Sequence, residues 1–150
     1  MALWGVLSIS SEVKSSADKF YNLWKSQVYH LPNISGGIQN VEVHEGDWHI
    51  EGSVKAWNYT VGGKALKAKE KVSFDDANKS ITFDLVDGDV LKEFKTFKAV
   101  FKASPKADGK SIVTWTIEYE KLNKSVAIPV EYLVLYEQLA EEVDGHLLKN

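Results

Sequence analysis

A run near the middle of the chain alternates Leu66, Ala68, Glu70, Val72 and Phe74 against Lys67, Lys69 and Lys71. This is the period of a strand with one apolar face, and it puts Glu70 on that face. Burial disfavours the charged form of a carboxyl, so a Glu held against apolar groups has a raised pKa and can act as a general acid or base near neutral pH. A structural reading of the same residue is a Glu paired to an inward Lys or capped by a Tyr hydroxyl. Tyr59, Tyr119, Tyr132 and Tyr136 also fall on expected inward faces. Each offers a ring and one hydroxyl, suited either to orienting an oxygenated apolar ligand or to core packing with the hydroxyl on a backbone carbonyl. His30 stands where two short helices should meet, as a proton shuttle or as an exposed helix-end His. If the protein is an enzyme, Glu70, His30 and Tyr59 are its catalytic candidates.

Other chemistries have little support. His44, Asp47 and His49 lie close together, but they lack the repeated ligand spacing of metal motifs, so no metal is expected. There is no Cys, hence no thiol nucleophile, disulfide or thiolate metal site. Ser-His-Asp, GxSxG, P-loop and GxGxxG signatures are missing, so neither a covalent nucleophile nor a nucleotide cofactor is expected. All 18 basic residues are Lys, and the net charge is −3. Without guanidinium forks, dedicated binding of nucleic acid or phosphate is disfavoured. The lysines at 64, 67, 69 and 71, then 92, 95, 98 and 102, read as a solubilising stripe among acidic neighbours.

The elements that must position these residues follow from the same patterning. The 150 residues are 44% hydrophobic and 26% charged, an ordinary globular composition. They suit one domain over 1–150 with a sizeable core. Leu3 to Val13 reads as a strand. Ser15 and Asp18 read as a capping box for a helix carrying Phe20, Leu23, Trp24 and Val28. A second short helix is expected over about Gln27 to Ile34, with His30-Leu31-Pro32-Asn33 as a break. From Ile38 the period changes to two. Strands are expected at Ile38–Glu45, Ser53–Val61, from Leu66 to Phe74, around Ile81, Phe83 and Leu85, over Val90–Ala103, and from Val113 to Tyr119. Gly62-Gly63 is a hairpin turn. Phe94 and Phe97 face the same side only if the fifth of these strands carries a bulge near Lys95-Thr96. Beyond Pro129, a residue suited to a first helical turn, Tyr132, Tyr136, Leu139, Val143 and Leu147 form one apolar stripe of a helix of about 20 residues. Strands in series followed by one long helix make an α+β chain, with the helix covering the sheet's apolar face.

Several motifs carry a family resemblance over the whole chain. The most specific runs from Val43-His44-Glu45-Gly46-Asp47-Trp48 through Gly52-Ser53-Val54-Lys55-Ala56-Trp57-Asn58-Tyr59. Ala17-Asp18-Lys19-Phe20-Tyr21, Val86-Asp87-Gly88-Asp89 and Trp115-Thr116-Ile117-Glu118-Tyr119 support it. In these the sequence resembles the major latex protein branch of the birch-pollen-allergen superfamily of plants. The resemblance implies a helix-grip fold: a seven-stranded curved antiparallel sheet wrapped around a long C-terminal helix, with two short helices after the first strand. It also implies a large cavity for hydrophobic or amphipathic small molecules such as plant metabolites or hormones. Trp57, Tyr59, Leu66, Ala68, Phe83, Leu85, Trp115, Ile117, Tyr119, Tyr132 and Tyr136 are the expected lining, with His30 near the mouth. Relatives of the birch allergen carry an inward Asp at the place of Glu70.

The segment Gly46–Gly52, glycine-rich in pathogenesis-related relatives, here has one Gly at each end and Trp48 within. A phosphate cradle needs adjacent unobstructed N–H groups, so the nuclease activity ascribed to such relatives is not expected. Trp48 is either a lid over the cavity or a staple on the sheet edge. The leading expectation is a carrier or buffer of apolar ligands. The alternative is a cofactor-independent enzyme, a cyclase or isomerase acting on a reactive terpenoid or alkaloid intermediate by a cavity acid or base. No membrane span, signal peptide or obligate protein partner is visible, so the expected location is cytoplasmic.

Overall fold

The computed structural model describes residues 3–149. Their order is β1 (Trp4–Val13), α1 (Ala17–Ser26), a 3-10 turn at Val28–His30, α2 (Leu31–Ile34), then six strands and a long helix. The strands are β2 (Ile38–Glu45), β3 (Val54–Val61), β4 (Lys64–Asp75), β5 (Ser80–Gly88), β6 (Phe94–Pro105) and β7 (Ser111–Lys121), and the helix is α3 (Glu131–Leu148). All pairings are antiparallel, in the order β1-β7-β6-β5-β4-β3-β2. This is the expected helix-grip architecture: a curved sheet whose apolar face closes on α3. Among the described residues no helix is long and apolar enough to cross a membrane.

Local chemistry explains the boundaries. Gly62 and Gly63 both have positive φ, +56° and +79°, as a two-residue hairpin turn of matching twist requires. The bulge in β6 is present: Phe94 faces Lys121 and Thr96 faces Glu120, leaving Lys95 extra. Phe94 and Phe97 are consequently both buried, with ring centroids 5.5 Å apart. The buried stripe of α3 holds the five expected residues and adds Leu135 and Ala140.

Four boundaries differ from the sequence expectation. Ser16, not Ser15, caps α1, its hydroxyl accepting from the Lys19 amide at 3.2 Å. The Ser15 hydroxyl lies elsewhere, while the Ser15 amide donates to Asp144 at 2.9 Å. The stretch before Ile34 is a 3-10 turn followed by α2, and Pro32 sits in the first turn of α2 rather than breaking a helix, where its missing N–H costs nothing. Asp89–Lys92 is a 3-10 turn, so β6 starts at Phe94 and not at Val90. Asp89 explains this local departure, since its carboxylate accepts the Lys67 amide at 2.8 Å and bends the chain back towards β4. Pro129 precedes α3, whose 18 residues span about 27 Å.

The C-terminal half of α3 is held by polar bonds. The Asp144 carboxylate accepts the amides of Lys14 and Ser15 at 3.0 and 2.9 Å, and the Ser35 hydroxyl donates to Glu142 at 2.6 Å. Bonds to a charged acceptor are worth about 1.5–3 kcal/mol when partly buried. Asp144→Ala should therefore destabilise the protein by about 1–3 kcal/mol, lowering the thermal midpoint by roughly 2–4 °C per kcal/mol. Thermal unfolding followed by circular dichroism measures this, and an unchanged midpoint would show that the helix is held by packing alone.

Candidate functional site

Between the sheet and α3 lies an internal hollow. Alternate residues of the strands face it: Trp57 and Tyr59 from β3, Ala68 and Glu70 from β4, Phe83 and Leu85 from β5, and Trp115 from β7. Tyr132 and Tyr136 close it from α3. These nine are expected residues. Trp24, Ile38, Phe97, Ala99, Leu135 and Leu139 also line it and were not foreseen. Phe97 had a signal in the parity argument for the bulge, Trp24 lies on the apolar stripe of α1, and Leu135 is three residues from Tyr132. Ile38 had none beyond its place at the start of a strand.

Leu66, Ile117, Tyr119 and His30 do not line the hollow. Leu66 is half-buried and packs against the core cluster. Ile117 is fully buried within the packed core. The Tyr119 hydroxyl lies over Gly5, where a Cβ would meet it, and its ring packs edge-on to Phe94 at 5.6 Å. His30 belongs to a separate surface cluster, with Tyr29 at 4.4 Å and His146 at 6.2 Å between ring centroids. Trp48 joins that cluster edge-on to Tyr29 at 5.3 Å and packs partly buried against the core.

The hollow is narrower than the resemblance implies. It is a cavity of about 60 Å³, room for about four waters. That falls below the roughly 300 Å³ of the smallest drug-sized pockets. A compact one- or two-ring molecule fits, and a sterol fits only if the walls part. Leu135 lines both the hollow and an outer cleft that it shares with Gly37, Gly62 and Val134.

Aromatic rings dominate the lining. Trp115 stacks on Tyr136 at 4.4 Å with an interplanar angle of 11°, and Phe83 lies 5.8 Å from Trp115. The Tyr59 and Tyr132 hydroxyls share a hydrogen bond of 2.7 Å across the gap between β3 and α3. Burial raises the pKa of Tyr59, Tyr132 and Tyr136, so these hydroxyls stay protonated. Only one proton serves the Tyr59–Tyr132 bond, which leaves the other free to donate elsewhere.

Glu70 is the lining's one carboxylate, half-buried and without an ion pair within 4.0 Å. The structural reading of a salt-bridged Glu is therefore not realised. Its strand position is reinforced by a register shift in the neighbouring strand: Lys69 faces Asp87 but Glu70 faces Leu85, so Val86 is extra. Bulges of this kind re-aim neighbouring side chains. Burial first, and then the charge of Asp84, push the Glu70 carboxyl up to about 7. Near neutral pH it divides between acid and carboxylate, as a proton-transfer group should.

Lys55 was missed although it shares parity with Trp57 and Tyr59 and stands opposite Glu70 in the β3–β4 register. It is 2% exposed, and burial lowers its amine pKa against the opposing pull of Asp47. It does not line the hollow.

The Gly46–Gly52 loop is internally used. The amides of Asp47, Trp48, Gly52 and Ser53 donate to the Ser53 hydroxyl, Asp47 carboxylate, Val72 carbonyl and Ile50 carbonyl. These four amides are thereby taken up within the loop and by β4. Among the described residues no group of three or more His, Cys, Asp or Glu is placed to hold a metal.

Known proteins place this geometry in context. A family model for the pathogenesis-related protein Bet v 1 family matches residues 2–150. MLP-like protein 28 of Arabidopsis thaliana is 40% identical over 98% of this chain, which spans only 45% of that protein. The crystal structure of ginseng major latex-like protein 151 from Panax ginseng superposes with a TM-score of 0.92 at 37% identity, covering 97% of this chain and 98% of that one. Norcoclaurine synthase from Thalictrum flavum shares the fold at a TM-score of 0.81 but only 18% identity, covering 98% of this chain and 88% of that one.

The raised pKa of Glu70 has a measurable sign. The unfolded carboxyl titrates near 4.5 and the folded one near 7, so between these values the native state binds more protons. Stability present below pH 4.5 is then lost as pH rises towards 7, by on the order of 3 kcal/mol. Urea unfolding of wild type and Glu70→Gln across pH 4–8 should show the variant without this loss. Parallel curves would show that Glu70 titrates normally.

Proposed function

Because the chain belongs to the pathogenesis-related protein Bet v 1 family, we propose that its hollow binds hydrophobic or amphipathic small molecules, plant metabolites or hormones among them, and that the protein carries or buffers them. The observation that carries this reading is the aromatic hollow in an otherwise packed core, bounded by α3 and six of the seven strands. Rings on facing walls suit an apolar ligand of similar thickness, and the Tyr hydroxyls and Glu70 suit one with polar atoms. The reading invokes no cofactor, nucleic acid, membrane or obligate protein partner, and its setting is the cytoplasm.

A second reading is favoured by one observation, the Glu70 carboxyl at about 7. In it the hollow holds a reactive terpenoid or alkaloid intermediate in one conformer and Glu70 moves a proton during cyclisation or isomerisation. His30 lies outside the lining, so the proton partner in this reading is Tyr59 through its bond to Tyr132. The norcoclaurine synthase structure, a complex with dopamine and hydroxybenzaldehyde, is a precedent for a catalyst on this fold.

A neutral two-ring fluorophore, 1-aminonaphthalene, should bind with micromolar affinity or better, about −8 kcal/mol. Ala68→Leu or Ala99→Leu, each filling the hollow from the sheet side, should weaken binding at least tenfold while the fold holds by circular dichroism. Binding that survives both would put the ligand elsewhere. For the choice between carrier and catalyst, Glu70→Gln should change carrier affinity by at most about 1 kcal/mol. In a proton-transfer enzyme it should cut turnover about 10²–10⁴-fold with affinity kept.

A further inference from the structure

Two buried donors on residues that line the hollow have no hydrogen-bond partner among the described residues. Trp57 and Trp115 are 6% and 3% exposed and both line the hollow, yet neither indole N–H donates to any acceptor. An indole nitrogen donates and cannot accept. Buried donors are ordinarily matched, so unmatched ones call for an explanation in terms of what else occupies the site. Phe would give the same apolar wall without this cost. A ligand that fills the hollow and brings an acceptor of its own can supply the bond these donors lack.

The charge of the lining narrows the ligand further. Its one carboxylate is Glu70, which repels an anionic acid when ionised. Two unmatched indole donors are poor partners for an ammonium, which has donors and no acceptor. What remains is an uncharged acceptor. We propose that the ligand is a neutral carbonyl compound of one or two rings, a ketone, aldehyde or lactone, whose oxygen accepts from the indole N–H of Trp57 or Trp115. This deepens the small-molecule reading of the hollow and rests on it. Glu70, in its protonated form, adds a third donor, and the leftover Tyr59–Tyr132 proton a fourth. The hollow is thus richer in donors than in acceptors, a bias suited to reading oxygen on an otherwise apolar skeleton.

Four probes of one size test this: 2-acetylnaphthalene, 2-ethylnaphthalene, 2-naphthoate and 2-(aminomethyl)naphthalene, titrated calorimetrically and corrected for their water-to-alkane partition. The ketone should bind roughly tenfold tighter than the hydrocarbon, and both charged probes more weakly than the ketone. With the protein labelled at the indole nitrogens, the ketone and not the hydrocarbon should move the Trp57 or Trp115 N–H resonance downfield. Replacing both tryptophans by 3-benzothienylalanine, which keeps the shape and removes the N–H, should abolish the ketone preference while the hydrocarbon still binds. Ethylnaphthalene binding with no ketone preference, a preference that survives both replacements, or tighter binding of the amine or acid would each overturn the proposal. Failure of all four probes to bind would overturn the small-molecule reading itself, and the proposal with it.

Discussion

The structure depends on one geometric constraint: a single helix has to cover one face of a seven-stranded sheet. Laid flat, seven strands at about 4.8 Å spacing are nearly 30 Å wide, whereas a helix with its side chains is about 10–12 Å across. The apolar face can be buried only if the sheet curls around the helix. Register shifts supply the bending at Ile38/Asn40, Val43/Glu45, Lys69/Glu70 and Phe94/Thr96, because a bulge increases local twist and bends the strand that carries it. A curled sheet around a straight rod does not close uniformly, and the hollow is the space that remains. Large rings narrow it without filling it, since the lining side chains are aromatic on both the sheet side and the helix side.

The same constraint accounts for the chemistry at Glu70. On a flat sheet with a solvated face, an alternating Glu would have water on one side. Here the concave face leads into apolar, largely aromatic surroundings, and the charge that acts on Glu70 is the like charge of Asp84. Desolvation without compensation holds the proton on. Lys55, opposite in register, carries the opposite sign but forms no bridge with it within 4.0 Å. The interior thus holds an acid and a base on neighbouring strands that remain separate.

Much of this was legible in the sequence, and the parts that were not have physical reasons. The period-two runs through Ala68, Glu70 and Val72, and through Val113, Trp115 and Ile117, located their strands and faces because the sheet has one buried side. The parity clash between Phe94 and Phe97 located a bulge. Alternation reports which side of a sheet a residue takes, but not whether that side opens on a hollow or on packed core. Hence Ile117 and Tyr119 were read as lining when they are packing. The start of β6 was misread because the bond from the Lys67 amide to Asp89 is a long-range contact with no sequence signature. Lys55 was overlooked because a lysine in a strand reads by its type as solvated, although its parity was that of Trp57. His30 was placed by its position in the chain, and only the fold shows that the end of α3 lies beside it.

The anchoring of α3 is uneven along its length. Towards its C-terminus the helix is clamped by Ser35 through Glu142 and by the Lys14 and Ser15 amides through Asp144. At its other end Val130 offers no side-chain cap, and a single hydroxyl pair, Tyr59 with Tyr132, joins helix to sheet across the hollow. Mechanically this is a cantilever, rooted at one end and lightly latched near the other. The four helix residues that face the hollow, Tyr132, Leu135, Tyr136 and Leu139, all lie in the unrooted half. A small tilt about the root is magnified at the tip, so the interior can change its girth without disturbing the sheet or the clamped turns. The girth of the hollow is then set less by the resting void than by the stiffness of one helical arm.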